Sequence, residues 1–114
     1  MNTRSKILAS AALIDQPAIL VIGTFDPLLA AHAERLAELA QPGAKLVVAV
    51  ADSPNALLPL EARREMVAAL RVVDFVVPLE PAASSWAAIH DDTALHLRLA
   101  AEFRQHVLER TATV

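Results

Sequence analysis

The chain has no cysteine, which excludes disulfides and thiolate metal sites. That lack fits a cytoplasmic protein, and a cytoplasmic setting is the expectation. Aromatic residues are scarce at 4%, so the 55% hydrophobic content rests mainly on Ala, Leu and Val. A core of such residues buries little area per residue. Surplus apolar surface is therefore expected to seek a partner chain, most simply a second copy. Only two lysines occur, Lys6 and Lys45, and no basic cluster stands out. Nucleic acid is accordingly not an expected partner. No apolar run approaches the length of a membrane span, so no membrane partner is expected either. The start of the chain, Met1 to Ile14, carries two basic residues and an apolar patch. It lacks a full signal-peptide core and reads as a first helix. A length of 114 residues and a formal charge of −3 suit one domain, 1–114, with a single small core.

What is present is an alternation of two periods. Ile7, Leu8, Ala11, Ala12 and Ile14 recur at helical spacing over 5–14, and Asp15-Gln16-Pro17 stops them. Ala18 to Phe25 is a continuous apolar run, as expected for a strand covered on both faces. Residues 28–41 return to the helical period through Leu29, His32, Leu36 and Leu39 or Ala40, and Pro42-Gly43 ends them. Lys45 to Asp52 predicts a second buried strand, and Ser53 to Pro59 a loop. A helix is predicted over 60–70, with Leu60, Met66, Val67 and Leu70 inward. Phe75 to Leu79 predicts a third short strand, and Pro81 to Ser85 a loop. A long final helix is predicted over 93–110, capped by Asp91 or Asp92, with Leu95, Leu99, Phe103 and Val107 as its stripe. No fourth strand is evident, so the expected sheet has three strands and an open flank for self-association. Strands alternating with helices mean an α/β fold: a small Rossmann-like, three-layer parallel sheet. Ligands of such sheets sit beyond the carboxyl ends of the strands.

The segment Gly23-Thr24-Phe25-Asp26-Pro27-Leu28-Leu29-Ala30-Ala31-His32 lies at such an end and leads into a helix. A helix start offers unpaired N–H groups and a positive dipole end, which suit phosphate. Gly23 lets the backbone turn closely, and the Thr24 hydroxyl can donate to a phosphate oxygen. His32, one turn into the helix, can donate to phosphate oxygens as charge builds in a transition state.

This segment resembles the signature G-x-F-D-x-x-H-x-G-H of the cytidylyltransferase-like nucleotidylyltransferases. Gly23, Phe25, Asp26 and His32 match, while Leu29 and Ala31 replace a histidine and the glycine. The resemblance continues through Leu46 to Val50, Asp52, Pro59 to Arg64, and Ala69 to Val77. It covers about residues 15 to 80 and is closest to adenylyltransferase domains of ADP-heptose synthesis and to glycerol-3-phosphate cytidylyltransferases. Such enzymes join a nucleoside triphosphate to a phosphorylated alcohol or sugar and release pyrophosphate, usually with Mg²⁺. The resemblance implies His32 as the catalytic residue. It implies Gly23, Thr24, Phe25, Asp26, Asp52 and Arg63 around a nucleotide or phosphorylated small molecule. An active enzyme would use ATP or CTP with Mg²⁺. The family's lysine after the second strand and its late G-I-S-[ST]-[ST] segment have no counterpart here. The resulting expectation is a nucleotide-binding domain with transferase activity weak or lost. The open alternatives are an active nucleotidylyltransferase and a non-enzymatic interaction module.

Several of these residues have plainer readings. His32 is equally a helix-surface histidine. Asp26 reads better as a turn-orienting residue bonding backbone N–H groups than as a metal ligand. Asp52 reads equally as a ribose contact and as a turn initiator. Arg63 reads slightly better as a surface arginine between Glu61 and Glu65. Trp86 reads as a packing residue rather than a base-stacking one. His90, His96 and His106 are spaced by six and ten, which is not a metal-ligand pattern, and no metal site is expected.

Overall fold

A computed structural model describes residues 3–80 and 86–112; the loop expected at 81–85 lies outside them. Among the described residues four strands form one all-parallel sheet: β1 (Ala18–Gly23), β2 (Lys45–Val50), β3 (Phe75–Val77) and β4 (Ala88–Asp91). Their order across the sheet is β3-β2-β1-β4. Three helices accompany them: α1 (Ala30–Leu39), α2 (Leu60–Ala68) and α3 (Thr93–Ala112). The expected Rossmann-like α/β sheet is therefore present, with a strand more than the sequence suggested. The correction has a physical cause. Ala88-Ile89-His90-Asp91 has no apolar run, because as an edge strand it pairs with β1 alone and is only partly buried.

β1 and β2 are the inner strands, paired in register from Ala18↔Lys45 to Gly23↔Val50. Being covered on both faces, they read as nearly unbroken apolar runs. On one face, Ile19, Val21, Leu46, Val48, Val50 and Val76 pack with Leu36 of α1 and with Val67 and Ala68 of α2. On the other, Ala18, Leu20, Val47, Ala49 and Val77 pack with Ala11, Leu8, Ile14 and Trp86. The first segment is not the expected single helix over 5–14. It forms two short 3-10 segments, Thr3–Lys6 and Ala11–Leu13. Between them Ile7 bridges Val76 in parallel, and the Leu8 N–H donates to the Val76 carbonyl at 2.8 Å. Pairing with β3 takes the backbone N–H that a helix would have used.

Two further expectations on helix faces change. In α2 the residues turned inward are Arg63, Val67 and Ala68, whereas Met66 is exposed. In α3 the stripe is half-buried through Leu95, Leu99 and Phe103, but Val107 is exposed, and so is Leu108. The helix start follows expectation: the Asp91 carboxylate accepts the Thr93 N–H at 3.0 Å and also pairs with the Thr93 hydroxyl. Among the described residues no helix is long and apolar enough to cross a membrane.

The chain leaves β1 toward β2 and β3, then returns to the other side of β1 as β4. The direction of winding thus reverses between β1 and β4. In open parallel sheets the crevice at such a reversal, outside the carboxyl ends of the strands, is the usual ligand site.

Candidate functional site

The carboxyl end of β1 turns sharply at Gly23-Thr24-Phe25-Asp26. Phe25 adopts φ +47°, in the left-handed region that a bulky side chain rarely enters. The Asp26–Pro27 peptide is cis. The Phe25 side chain is fully buried and belongs to the main core, so packing holds the residue in that unfavourable conformation.

Asp26 is buried and its carboxylate accepts the N–H groups of Leu57 (2.9 Å) and Leu58 (3.0 Å). It therefore ties the turn after β1 to the loop after β2. Arg63 extends the same linkage. It is 3% exposed, and its guanidinium donates to the carbonyls of Leu58 (3.0 Å), Thr24 (2.9 Å) and Ala51 (2.8 Å). These bonds engage two of its nitrogens with the backbone, and the residue is not at the surface. Asp52 is exposed beyond the end of β2 and stands outside the buried cluster.

His32 sits at the third position of α1 and is 1% exposed, so it too is not a surface residue. Its Nδ1 accepts the Leu29 N–H at 2.8 Å. That bond satisfies one orphan donor of the helix start, since Leu29, at the N-cap, makes no side-chain cap. With Nδ1 accepting, neutral His32 carries its proton on Nε2. Among the described residues that buried Nε2 has no hydrogen-bond partner, and neither has the buried Thr24 hydroxyl. An unpaired buried polar group costs about 1–3 kcal/mol, so each of these two atoms is an unusual place to find no acceptor.

The structure adds a residue that the sequence weighed only as a metal ligand. His96, one turn into α3, is 1% exposed and packs against the same corner. Its Nδ1 accepts the Phe25 N–H at 3.4 Å. Its ring lies 4.4 Å from that of His32 and 4.4 Å from that of Phe25, edge to face in both cases. The Arg35–Asp92 ion pair, 3.0 Å, joins α1 to the start of α3 beside them. The signal was positional. His96 lies in the opening turn of the helix that follows β4, as His32 lies in that of the helix that follows β1, but the signal needs β4 to be recognised as a strand.

Burial lowers the pKa of both imidazoles. For His32, burial outweighs the opposing influence of Asp92 and of the Leu29 bond. For His96, burial comes first and the neighbouring His32 second; Arg35 acts the same way, Asp92 and Asp91 oppose, and the result is about 4. The unfolded chain takes up this proton near pH 6.5, whereas the folded chain resists it down to about 4. Stability is thus fully present above pH 6.5 and falls as the pH drops through that window. The loss at pH 5 from His96 alone is about 2 kcal/mol. Urea unfolding at pH 7 and pH 5 measures it, and His96→Phe should flatten the profile. An unchanged midpoint between the two pH values would contradict the assignment.

Among the described residues no group of three or more His, Asp or Glu side chains could hold a metal ion. The corner therefore does not fit a protein-held Mg²⁺, although such an ion ordinarily arrives with the phosphates of its nucleotide. What the arrangement offers is a cluster of neutral donors at the carboxyl end of a central strand. No curated protein matches the sequence significantly. The family model described as cytidylyltransferase-like matches residues 20–92, from β1 through β4 to the start of α3. That span covers well over half of the chain and includes the turn, His32, Asp26 and Arg63. The chain belongs to the cytidylyltransferase-like family.

Proposed function

We propose that the corner between β1 and α1 binds a nucleotide or another phosphorylated small molecule, with nucleotidyl transfer weak or lost. The observation that carries the binding half is that the buried Thr24 Oγ1 and His32 Nε2 have no hydrogen-bond partner among the described residues. A phosphate oxygen supplies the acceptor each of them lacks. The loss of transfer is argued from the charge available. The Leu29 side chain has no donor, His32 is held neutral by burial, and Arg63 is committed to carbonyls. Stabilising a transferring phosphoryl group needs cationic or donor groups placed on the developing charge. The setting is cytoplasmic in this reading, with ATP or CTP as the candidate nucleotides. Self-association through the exposed Val107 and Leu108 of α3 belongs to the same proposal.

Calorimetry with ATP and CTP, each with and without Mg²⁺, is the test. Binding is expected, and His32→Ala should weaken it about tenfold, the equivalent of one hydrogen bond of roughly 1.4 kcal/mol. Helical content by circular dichroism should be retained, showing that α1 survives loss of its cap. No heat with either nucleotide would leave the chain as a non-catalytic assembly module. Rapid pyrophosphate release with glycerol-3-phosphate or a sugar phosphate would instead restore the active transferase.

A further inference from the structure

His96 lies where the winding of the sheet reverses, in the crevice that parallel sheets normally leave to a ligand. Its ring fills the space that Gly23 leaves open. A methyl group at Gly23 would overlap Cε1 and Nδ1 of His96. The absence of a side chain there thus serves the imidazole, where it could otherwise serve the close approach of a phosphate. The bond that holds the ring is poor. The Phe25 N–H reaches His96 Nδ1 at 3.4 Å, well beyond the usual 2.9–3.0 Å. A backbone N–H at a strand-end turn is the kind of donor that phosphate takes with a shorter, charge-assisted bond. The donors of Thr24 and His32, meanwhile, are buried without partners among the described residues.

We propose that His96 is a built-in competitor for the ligand: its ring occupies the phosphate position, and binding requires its displacement. The idea rests on the nucleotide reading above and adds its regulation. Because His96 is carried by α3, displacement moves the start of that helix against the Arg35–Asp92 ion pair. Ligand occupancy and the position of α3 are thereby coupled, and apparent affinity is reduced by the fraction of molecules in which the ring is in place.

Calorimetry with CTP, ATP and inorganic pyrophosphate on the wild type and on His96→Ala tests this. Affinity is expected to rise about tenfold or more when the ring is removed. Free imidazole, added to His96→Ala, should refill the hole and cancel the gain. Arg35→Ala keeps the ring but loosens its helix, and a smaller gain is expected. Should His96→Ala fail to fold, Arg35→Ala decides alone: a gain supports the proposal, and no change or a loss overturns it. Weaker binding by His96→Ala would make the ring a ligand contact, and equal binding would make it a bystander. Either result overturns the competitor while leaving the nucleotide reading intact. No heat from either protein overturns the nucleotide reading and the competitor with it.

Discussion

Replacing Arg63 by alanine is expected to remove roughly 4–5 kcal/mol of stability, enough to leave a domain of this size close to unfolded. The guanidinium donates to three carbonyls that belong to three separate segments: the turn after β1, the end of β2 and the loop before α2. Each such bond from a charged donor is worth about 1.5–3 kcal/mol, and the three do not add fully because they share one side chain. The loss is compounded because Thr24 and Ala51 are themselves buried, so water does not readily replace the arginine. Arg63→Lys should recover little. One ammonium cannot reproduce the fork that reaches Leu58 from Nε and both Thr24 and Ala51 from Nη1. Chemical denaturation of the two variants gives the answer. A loss below about 1 kcal/mol for Arg63→Ala would show that the arginine merely decorates α2.

The second large effect is expected at Gly23. Here the cause is space: its φ is not in the left-handed region, but a Cβ would meet the His96 ring and come within 3.0 Å of Phe25 Cε2. Gly23→Ala should cost roughly 3 kcal/mol, at the upper end for one added methyl in a packed interior. The double variant Gly23→Ala/His96→Ala should recover most of that loss, because the methyl then occupies room the ring has left. The measured quantity is the coupling energy of the cycle. Strict additivity of the two single changes would mean that the ring and the glycine do not share that space.

The parts of this structure that were legible in the sequence are those governed by burial on both sides. β1 and β2 show as apolar runs because neighbours cover both faces, and α1 shows because Leu36 and Leu39 follow His32 at helical spacing toward the core. The turn at Gly23 to Asp26 was placed correctly at the end of β1. β4 was missed because an edge strand carrying His90 and Asp91 leaves no hydrophobic period to read. The N-terminal segment has a helical period, yet Leu8 pairs with Val76, a tertiary preference that no local pattern encodes. Arg63 reads slightly better as a surface residue in the sequence, because charge normally lies outside. Its burial depends on three carbonyls that converge only once the chain has folded. For His96 the same holds: its place in the corner depends on β4 returning beside β1.

The pairing of the chain's beginning with β3 bears on how the domain is made. Lys6 donates to the Leu70 carbonyl, the Leu8 N–H to that of Val76, and Ser10 and Ala11 reach Glu80. These contacts bridge 64 to 70 residues of sequence. Closing so long a loop carries a large entropic cost that only a formed sheet repays. During synthesis residues 6–11 therefore wait until the chain has reached Glu80, and until they dock, β3 offers an unsatisfied outer edge. A new edge of that kind is a template for other strands. The order of closure, as much as the finished contacts, thus sets how readily the nascent protein aggregates.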